Sequence, residues 1–149
     1  MYGGKGANQA VASMRAGANI KFITQLGNDT FGKNLKAYFH ELGFDKKYIL
    51  IDENNHSGIA HIFVSKKGEN SIAVASGSNA TLTFKKLKPF LDEIANAKLV
   101  LVQFEIPLKT ILSILSFCNK KGVKVIVNPA PAIELTKNIL NKIWMITPN

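Results

Sequence analysis

The chain has 149 residues and one cysteine, Cys118, and 46% of its residues are hydrophobic. This length and composition are typical of a folded globular domain and exclude a disordered chain. A single cysteine excludes an internal disulfide, so we expect a reducing, cytoplasmic location. We expect no membrane association, because no apolar run reaches the length of a membrane span.

The net charge of +9 is a reason to consider nucleic acid as a partner. Arg15 is the one arginine among the 19 basic residues, however, and the lysines are spread along the whole chain. Base recognition and bidentate phosphate binding favour arginine over lysine. We therefore predict no nucleic-acid partner, and a basic nucleic-acid binder is kept only as an alternative.

Apolar periodicity and turn residues predict alternating helices and strands along the chain. The predicted helices cover 5–16, 31–42, 87–96, 108–121 and 134–142, and the predicted strands cover 20–26, 48–51, 57–64, 70–75, 99–104, 123–127 and 144–147. The strands at 99–104 and 123–127 are nearly continuous apolar runs, as in parallel sheets covered by helices on both faces. We predict an α/β fold with a mostly parallel, layered, Rossmann-like sheet and a small β-hairpin.

The first predicted helix is preceded by a cluster of glycines around one lysine, Gly3-Gly4-Lys5-Gly6. Glycines let backbone come close to a polar ligand, and a helix N-terminus offers free N–H groups. Lys5 and Asn8 are three residues apart, so they share one helical face. This spacing favours a two-point contact with a polar ligand.

Polar side chains also follow three predicted strands, at Gln103-Phe104-Glu105, Asn128-Pro129-Ala130-Pro131 and Thr147-Pro148-Asn149. Ligands of parallel α/β sheets bind beyond the carboxyl ends of the strands. The alternative is structural, with the asparagines forming turns beside prolines and Glu105 capping the next helix. Three polar groups at one edge favour a binding site as much as the structural alternative.

Other motifs predict structure more than chemistry. The segment 27–34 is close to a phosphate-binding loop, but Asn34 replaces the Ser or Thr that would bind magnesium, so we interpret it as a turn and a capped helix. The three histidines have no ligand spacing with acidic residues, so we predict no metal site. Cys118 lies at helical spacing from Ile111, Ile114 and Leu115, as a small core residue does.

Several of these segments together resemble the ribokinase-like carbohydrate kinases, also called the PfkB family. The segments 3–12, 17–18 and 27–32 resemble the first family signature, and 57–60, 68–70 and 76–80 resemble its lid hairpin and the return from it. Gln103 to Pro107 resembles a sugar-site turn, and 128–131 with 146–149 resembles the approach to the nucleotide site. The resemblance runs through the chain in the order expected for the family.

The resemblance implies ATP-dependent phosphorylation of a sugar hydroxyl, with D-ribose favoured and ribose 5-phosphate as product. It implies ATP, Mg²⁺ and a monovalent cation as cofactors of the full-length enzyme. The residues that it implies for sugar binding are Gly4, Lys5, Gly6, Ala7, Asn8 and Glu105. It also implies that Asn149 approaches the nucleotide, and that the hairpin at 57–75 closes over the sugar and pairs two subunits.

The resemblance lacks two parts of the family pattern, namely its first strand and the Gly-Ala-Gly-Asp type signature that carries the catalytic base. We therefore expect residues 1–149 to be one partial domain and an internal fragment, without a catalytic residue or metal ligand and inactive by itself. The alternative from another functional class is a non-catalytic module that binds a sugar or regulates an enzyme.

Overall fold

The computed structural model describes residues 2–148 and divides them between two compact units. Unit 1 contains Ala7–Thr81 and the residues up to Gly3, and unit 2 contains Gly4–Gly6 and the chain from Leu82 onward. Both units have parallel strands connected through helices, which confirms the predicted α/β class. Within the described residues, no helix is long and apolar enough to cross a bilayer.

Unit 1 contains a parallel strand pair and a separate hairpin. Its elements are α1 (Lys5–Arg15, with Lys5 and Gly6 assigned to unit 2), β1 (Thr24–Gly27), α2 (Thr30–Glu41), a 3-10 turn (Lys46–Tyr48), β2 (Ile49–Asp52), β3 (Ile59–Val64), β4 (Asn70–Ala75) and a second 3-10 turn (Gly77–Thr81). Strands β1 and β2 are parallel, with α2 between them in the chain, and Leu26 lies opposite Ile51. Strands β3 and β4 form the predicted antiparallel hairpin.

The core of unit 1 forms where the apolar faces of its helices meet the strand pair. Its buried members are Ala10, Leu26, Phe39, Phe44 and Ile49. Ala7 packs against this cluster from the first turns of α1. Burial of these side chains supplies the main stabilisation of unit 1.

Unit 2 is a three-stranded parallel sheet with helices between its strands. Its elements are α3 (Phe84–Leu87), a 3-10 turn (Lys88–Phe90), α4 (Leu91–Ala95), β5 (Leu99–Gln103), α5 (Leu108–Lys121), β6 (Lys124–Asn128), α6 (Lys137–Leu140) and β7 (Met145–Ile146). The strand order is β5-β6-β7, and both pairings are parallel. Ile111, Leu115 and Cys118 of α5 are completely buried, which confirms that Cys118 is a core residue.

Two predicted helices differ from the observed ones. In place of the single helix predicted at 87–96, the observed helical segment begins earlier, at Phe84. It is interrupted by the 3-10 turn at Lys88–Phe90. Pro89 lies in that turn, and a proline lacks the N–H that a continuous helix needs. The predicted helix at 134–142 is only the four residues of α6, because Thr136, Asn138 and Asn141 are weak helix formers.

Candidate functional site

The carboxyl ends of the strands in unit 2 are connected to one another by hydrogen bonds. Gln103, the last residue of β5, lies opposite Asn128, the last residue of β6. Just beyond them, the Phe104 N–H donates to the Ala130 carbonyl at 3.0 Å. The Asn128 side-chain amide donates to the Thr147 carbonyl at 2.7 Å, so it connects the end of β6 to the residue after β7. The carboxyl ends of β5, β6 and β7 are therefore connected along one edge of this sheet.

Lys5 and Glu105, which are 100 residues apart in the chain, meet in unit 2. The Lys5 Nζ atom lies 2.6 Å from Glu105 Oε1, and the backbone N–H of Lys5 donates to Oε2 at 3.3 Å. Because Lys5 is the first residue of α1, this carboxylate accepts from the positive end of a helix as well as from an ammonium group. Glu105 is thus held by two donors from the glycine-rich segment.

This ion pair remains accessible to water, since the side chains of Lys5 and Glu105 are 39% and 28% exposed. An ion pair this exposed contributes about 0–1 kcal/mol to stability. The alternative role of Glu105 as a helix cap is wrong, because the residue at the cap position of α5 is Pro107 and no side chain bonds there. A charged pair that adds little to stability, at the carboxyl end of a parallel strand, has the chemistry to hold a polar ligand.

The glycines before Lys5 leave open space. A side chain added at Gly3 or Gly4 would have no atom within 4 Å, and Gly4 has a φ of +105°, which disfavours any other residue. Gly4, Lys5, Gly6 and Glu105 are therefore brought together in unit 2, and α1 continues from them into unit 1.

The remaining predicted site residues have different positions. Asn8 is exposed on α1, one turn after Lys5, whereas Ala7 packs on the core of unit 1. Asn149, predicted at the nucleotide site, lies outside the described residues. Among residues 2–148, no group of three His, Cys, Asp or Glu side chains could hold a metal ion, so the described residues provide no such ligand set for the implied Mg²⁺.

The loop-like segment at 27–34 is confirmed as a turn with a capped helix. Asp29 Oδ1 accepts the N–H of Gly32 at 2.6 Å, which caps α2. A Cβ atom at Gly32 would lie 1.9 Å from the Gly27 carbonyl oxygen, and one at Gly27 would lie 2.4 Å from the Ser57 nitrogen. These glycines are required by close packing between backbone segments.

Two titratable groups have shifted pKa values. Burial alone would raise the pKa of Asp29, but hydrogen bonds from Gly32 and Ser57 and the nearby His56 outweigh it and hold this pKa below its usual value. Burial raises the pKa of the Cys118 thiol to about 11. The Cys118 thiol is therefore protonated at neutral pH and is not a nucleophile.

Comparison of the chain with known proteins identifies one family. The model of the pfkB family carbohydrate kinases matches residues 1–149. The chain is 43% identical to a ribokinase of Haemophilus influenzae over 148 residues, which are 99% of this chain and 48% of that protein. It is 32% identical to a deoxyribokinase of Salmonella typhi, again covering 99% of this chain and 48% of that protein.

Among solved structures, Arabidopsis thaliana ribokinase complexed with ribose and ATP matches with a TM-score of 0.85 at 28% identity, covering 99% of this chain and 48% of that one. The chain therefore belongs to the pfkB family of carbohydrate kinases, a family of phosphotransferases, as its sequence motifs predicted. It spans about half the length of the curated relatives that it matches.

Proposed function

We propose that this chain supplies the sugar-binding part of an enzyme that transfers a phosphoryl group from ATP to a hydroxyl of D-ribose, giving ribose 5-phosphate. The observation that carries the proposal is the Lys5–Glu105 pair just beyond the carboxyl end of β5, next to the open backbone of Gly4. The family assignment and the ribokinase relatives support the same function.

The chemistry of the pair suits a sugar. Each sugar hydroxyl can both donate and accept a hydrogen bond, so it can donate to the Glu105 carboxylate and accept from the Lys5 ammonium. Hydrogen bonds to charged groups are about twice as strong as neutral ones, so the pair can exchange part of its mutual contact for contacts with the ligand. Asn8 would add an amide, which both donates and accepts, and Gly4, Gly6 and Ala7 would let the sugar approach the backbone.

ATP supplies the phosphoryl group in this proposal, and Mg²⁺ and a monovalent cation are cofactors of the whole enzyme. Asn149 is the residue of this chain that we assign to the nucleotide side. The part played by the described residues is to bind the sugar, to orient the hydroxyl that is phosphorylated and to exclude water from it. The hairpin at 57–75 serves as the lid in this scheme.

We further propose that the hairpin pairs two copies of the chain. One face of the hairpin carries side chains of Ala60, Ile62, Val64, Ile72 and Val74, with Ile62 opposite Ile72 and Ala60 opposite Val74. Ile62, Val64, Ile72 and Val74 are 57–65% exposed, which makes a contiguous apolar surface. Sedimentation equilibrium would test this, since Ile62→Lys should give monomers where the unchanged chain dimerises.

A segment exchange tests the proposed activity. The matching segment of Haemophilus influenzae ribokinase is replaced by residues 1–149 of this chain, and ADP release is measured with D-ribose, 2-deoxy-D-ribose and D-fructose. We expect activity that is highest with D-ribose. A folded chimera that binds ribose without transferring phosphate would support a non-catalytic sugar-binding role, and one that neither binds nor phosphorylates any of these sugars would overturn the proposal.

A further inference from the structure

Ser57 lies at the base of the β3–β4 hairpin, between β2 and β3, and only 1% of it is exposed. Its backbone N–H donates to Asp29 Oδ2 at 2.7 Å, and its hydroxyl donates to Asp29 Oδ1 at 2.8 Å. The same hydroxyl accepts the N–H of Gly27 at 3.0 Å. Ser57, which lies just before the first strand of the hairpin, is therefore fixed to the turn between β1 and α2.

The other end of the hairpin is fixed to the same region. Ser78, which is completely buried, donates its N–H to the His56 carbonyl at 2.8 Å, and its own carbonyl accepts from Gln25 Nε2 at 2.6 Å. Gly77 has a φ of +50°, and a Cβ atom there would lie 2.4 Å from the His56 carbonyl oxygen. The two ends of the hairpin are thus packed backbone to backbone.

The arm of the hairpin contrasts with this base. In β3 every residue after Ile59 is exposed, and every residue of β4 is exposed. Buried polar groups with complete hydrogen bonding make a region rigid, whereas exposed strands with few buried contacts move easily. We therefore expect the arm, outside Ser57 and Ser78, to be the part of the hairpin that moves.

Asp29 makes two kinds of contact at this base. Its Oδ1 caps α2 through the Gly32 N–H, while both of its oxygens hold Ser57. We propose that Asp29 is a positioning residue, which fixes the base of the hairpin to the N-terminus of α2 so that the arm closes over the sugar from a defined position. This inference rests on the proposed function, in which the hairpin is the lid.

The substitution Asp29→Asn separates the two contacts of Asp29. Asparagine keeps an Oδ1 atom and is as good a helix cap as aspartate, so the bond to Gly32 is retained. Its Nδ2 group replaces the oxygen that accepts from the Ser57 N–H, so two donors face each other there. Ser57→Ala is a second variant, since it removes the hydroxyl that donates to Asp29 without changing Asp29 itself, although it also removes the acceptor of the Gly27 N–H.

Asp45→Asn is the matched control. Asp45 also lies at a helix cap, where its carboxylate accepts the N–H of Lys47 at 2.8 Å at an exposed site. The substitution Asp45→Asn makes the same chemical change as Asp29→Asn. The carboxylate of Asp45 caps a 3-10 turn that lies before the hairpin in the chain. A general effect of losing one capping charge would appear in this variant as well.

The experiment uses the ribokinase chimera and measures kcat and KM for D-ribose and for ATP. We expect Asp29→Asn and Ser57→Ala to raise the KM for ribose about tenfold, the loss expected for one hydrogen bond to a charged group. The KM for ribose rises because a loosened base must be ordered each time the lid closes over the sugar. We expect kcat and the KM for ATP to stay within about twofold. Hydrogen exchange at the Ser57 amide should become faster in Asp29→Asn but not in Asp45→Asn.

The kinetic and exchange results separate the positioning role of Asp29 from the proposed function. An active chimera whose KM for ribose is unchanged by Asp29→Asn and Ser57→Ala would overturn the positioning role. A folded chimera that neither binds nor phosphorylates ribose would overturn the proposed function instead, and exchange at the Ser57 amide would then be the test of whether Asp29 fixes the hairpin base. Unchanged exchange in Asp29→Asn would show that Asp29 does not fix the hairpin base.

Discussion

Gly32→Ala tests whether the glycines of the segment 27–32 are needed for packing. An alanine Cβ there would lie 1.9 Å from the Gly27 carbonyl oxygen and 2.9 Å from Ser57 Oγ. A carbon and an oxygen in ordinary contact are about 3.4 Å apart, so the backbone must move by about 1.5 Å. Gly27 is buried at the end of β1 and its N–H is bonded to Ser57, so this movement breaks other contacts.

The expected size of the effect follows from two opposing contributions. Overpacking costs about 3 kcal/mol at the upper end of its usual range. Alanine gains about 1 kcal/mol over glycine from helix propensity. We therefore expect Gly32→Ala to lower the free energy of unfolding by about 2 kcal/mol or more.

Urea unfolding followed by circular dichroism measures this change, as a lower midpoint with an unchanged slope. Asn34→Ala is the control, because Asn34 is exposed on the same helix and this variant isolates the gain in helix propensity. We expect that control to be neutral or slightly stabilising. A Gly32→Ala chain at least as stable as the unchanged one would refute the packing argument.

Three further predictions concern stability and reactivity. The Cys118 thiol should resist a disulfide reagent at pH 8 in the folded chain and react rapidly in urea, because its pKa is raised to about 11 and it is completely buried. Ile111→Ala should destabilise unit 2 by about 2–5 kcal/mol, whereas Lys120→Ala on the exposed face of α5 should change it by about 0.5 kcal/mol or less. Because the pKa of Asp29 is lowered by folding, its contribution to stability is present above the unfolded value of 3.8 and is lost as the pH falls through the folded value. The stability difference between the unchanged chain and Asp29→Asn should therefore shrink as the pH is lowered below about 4, in urea titrations at several pH values.

Helix α5 shows what local sequence can predict. Its bounds, Leu108–Lys121, are those predicted, because an apolar face, Pro107 before it and Gly122 after it all agree. Gly122 ends the helix with a φ of +70°, the conformation that glycine provides. The interruption around Pro89 was missed because the predicted helix began at Leu87, which placed Pro89 in a first turn that tolerates proline. The observed helical segment begins at Phe84, so Pro89 lies farther inside it.

The site was only partly predictable for a similar reason. The carboxyl-edge rule identified Glu105, and the glycine cluster identified Lys5, but no local pattern predicts that they form an ion pair. The contact of Asp29 with Ser57 was missed entirely. Its signal in the sequence was an aspartate at a predicted helix cap, and that signal gives no information about a second partner 28 residues away.

Calorimetric titration of the chimera with D-ribose decides whether Glu105, held by Lys5, binds the sugar. We expect Glu105→Gln to weaken ribose binding at least tenfold, the loss expected for one hydrogen bond to a charged group. We expect an unchanged melting temperature, since so exposed an ion pair contributes little stability. The control Lys109→Gln, an exposed lysine of α5, should bind ribose normally. Equal ribose affinity in Glu105→Gln and in the unchanged chimera would show that Glu105 does not bind the sugar.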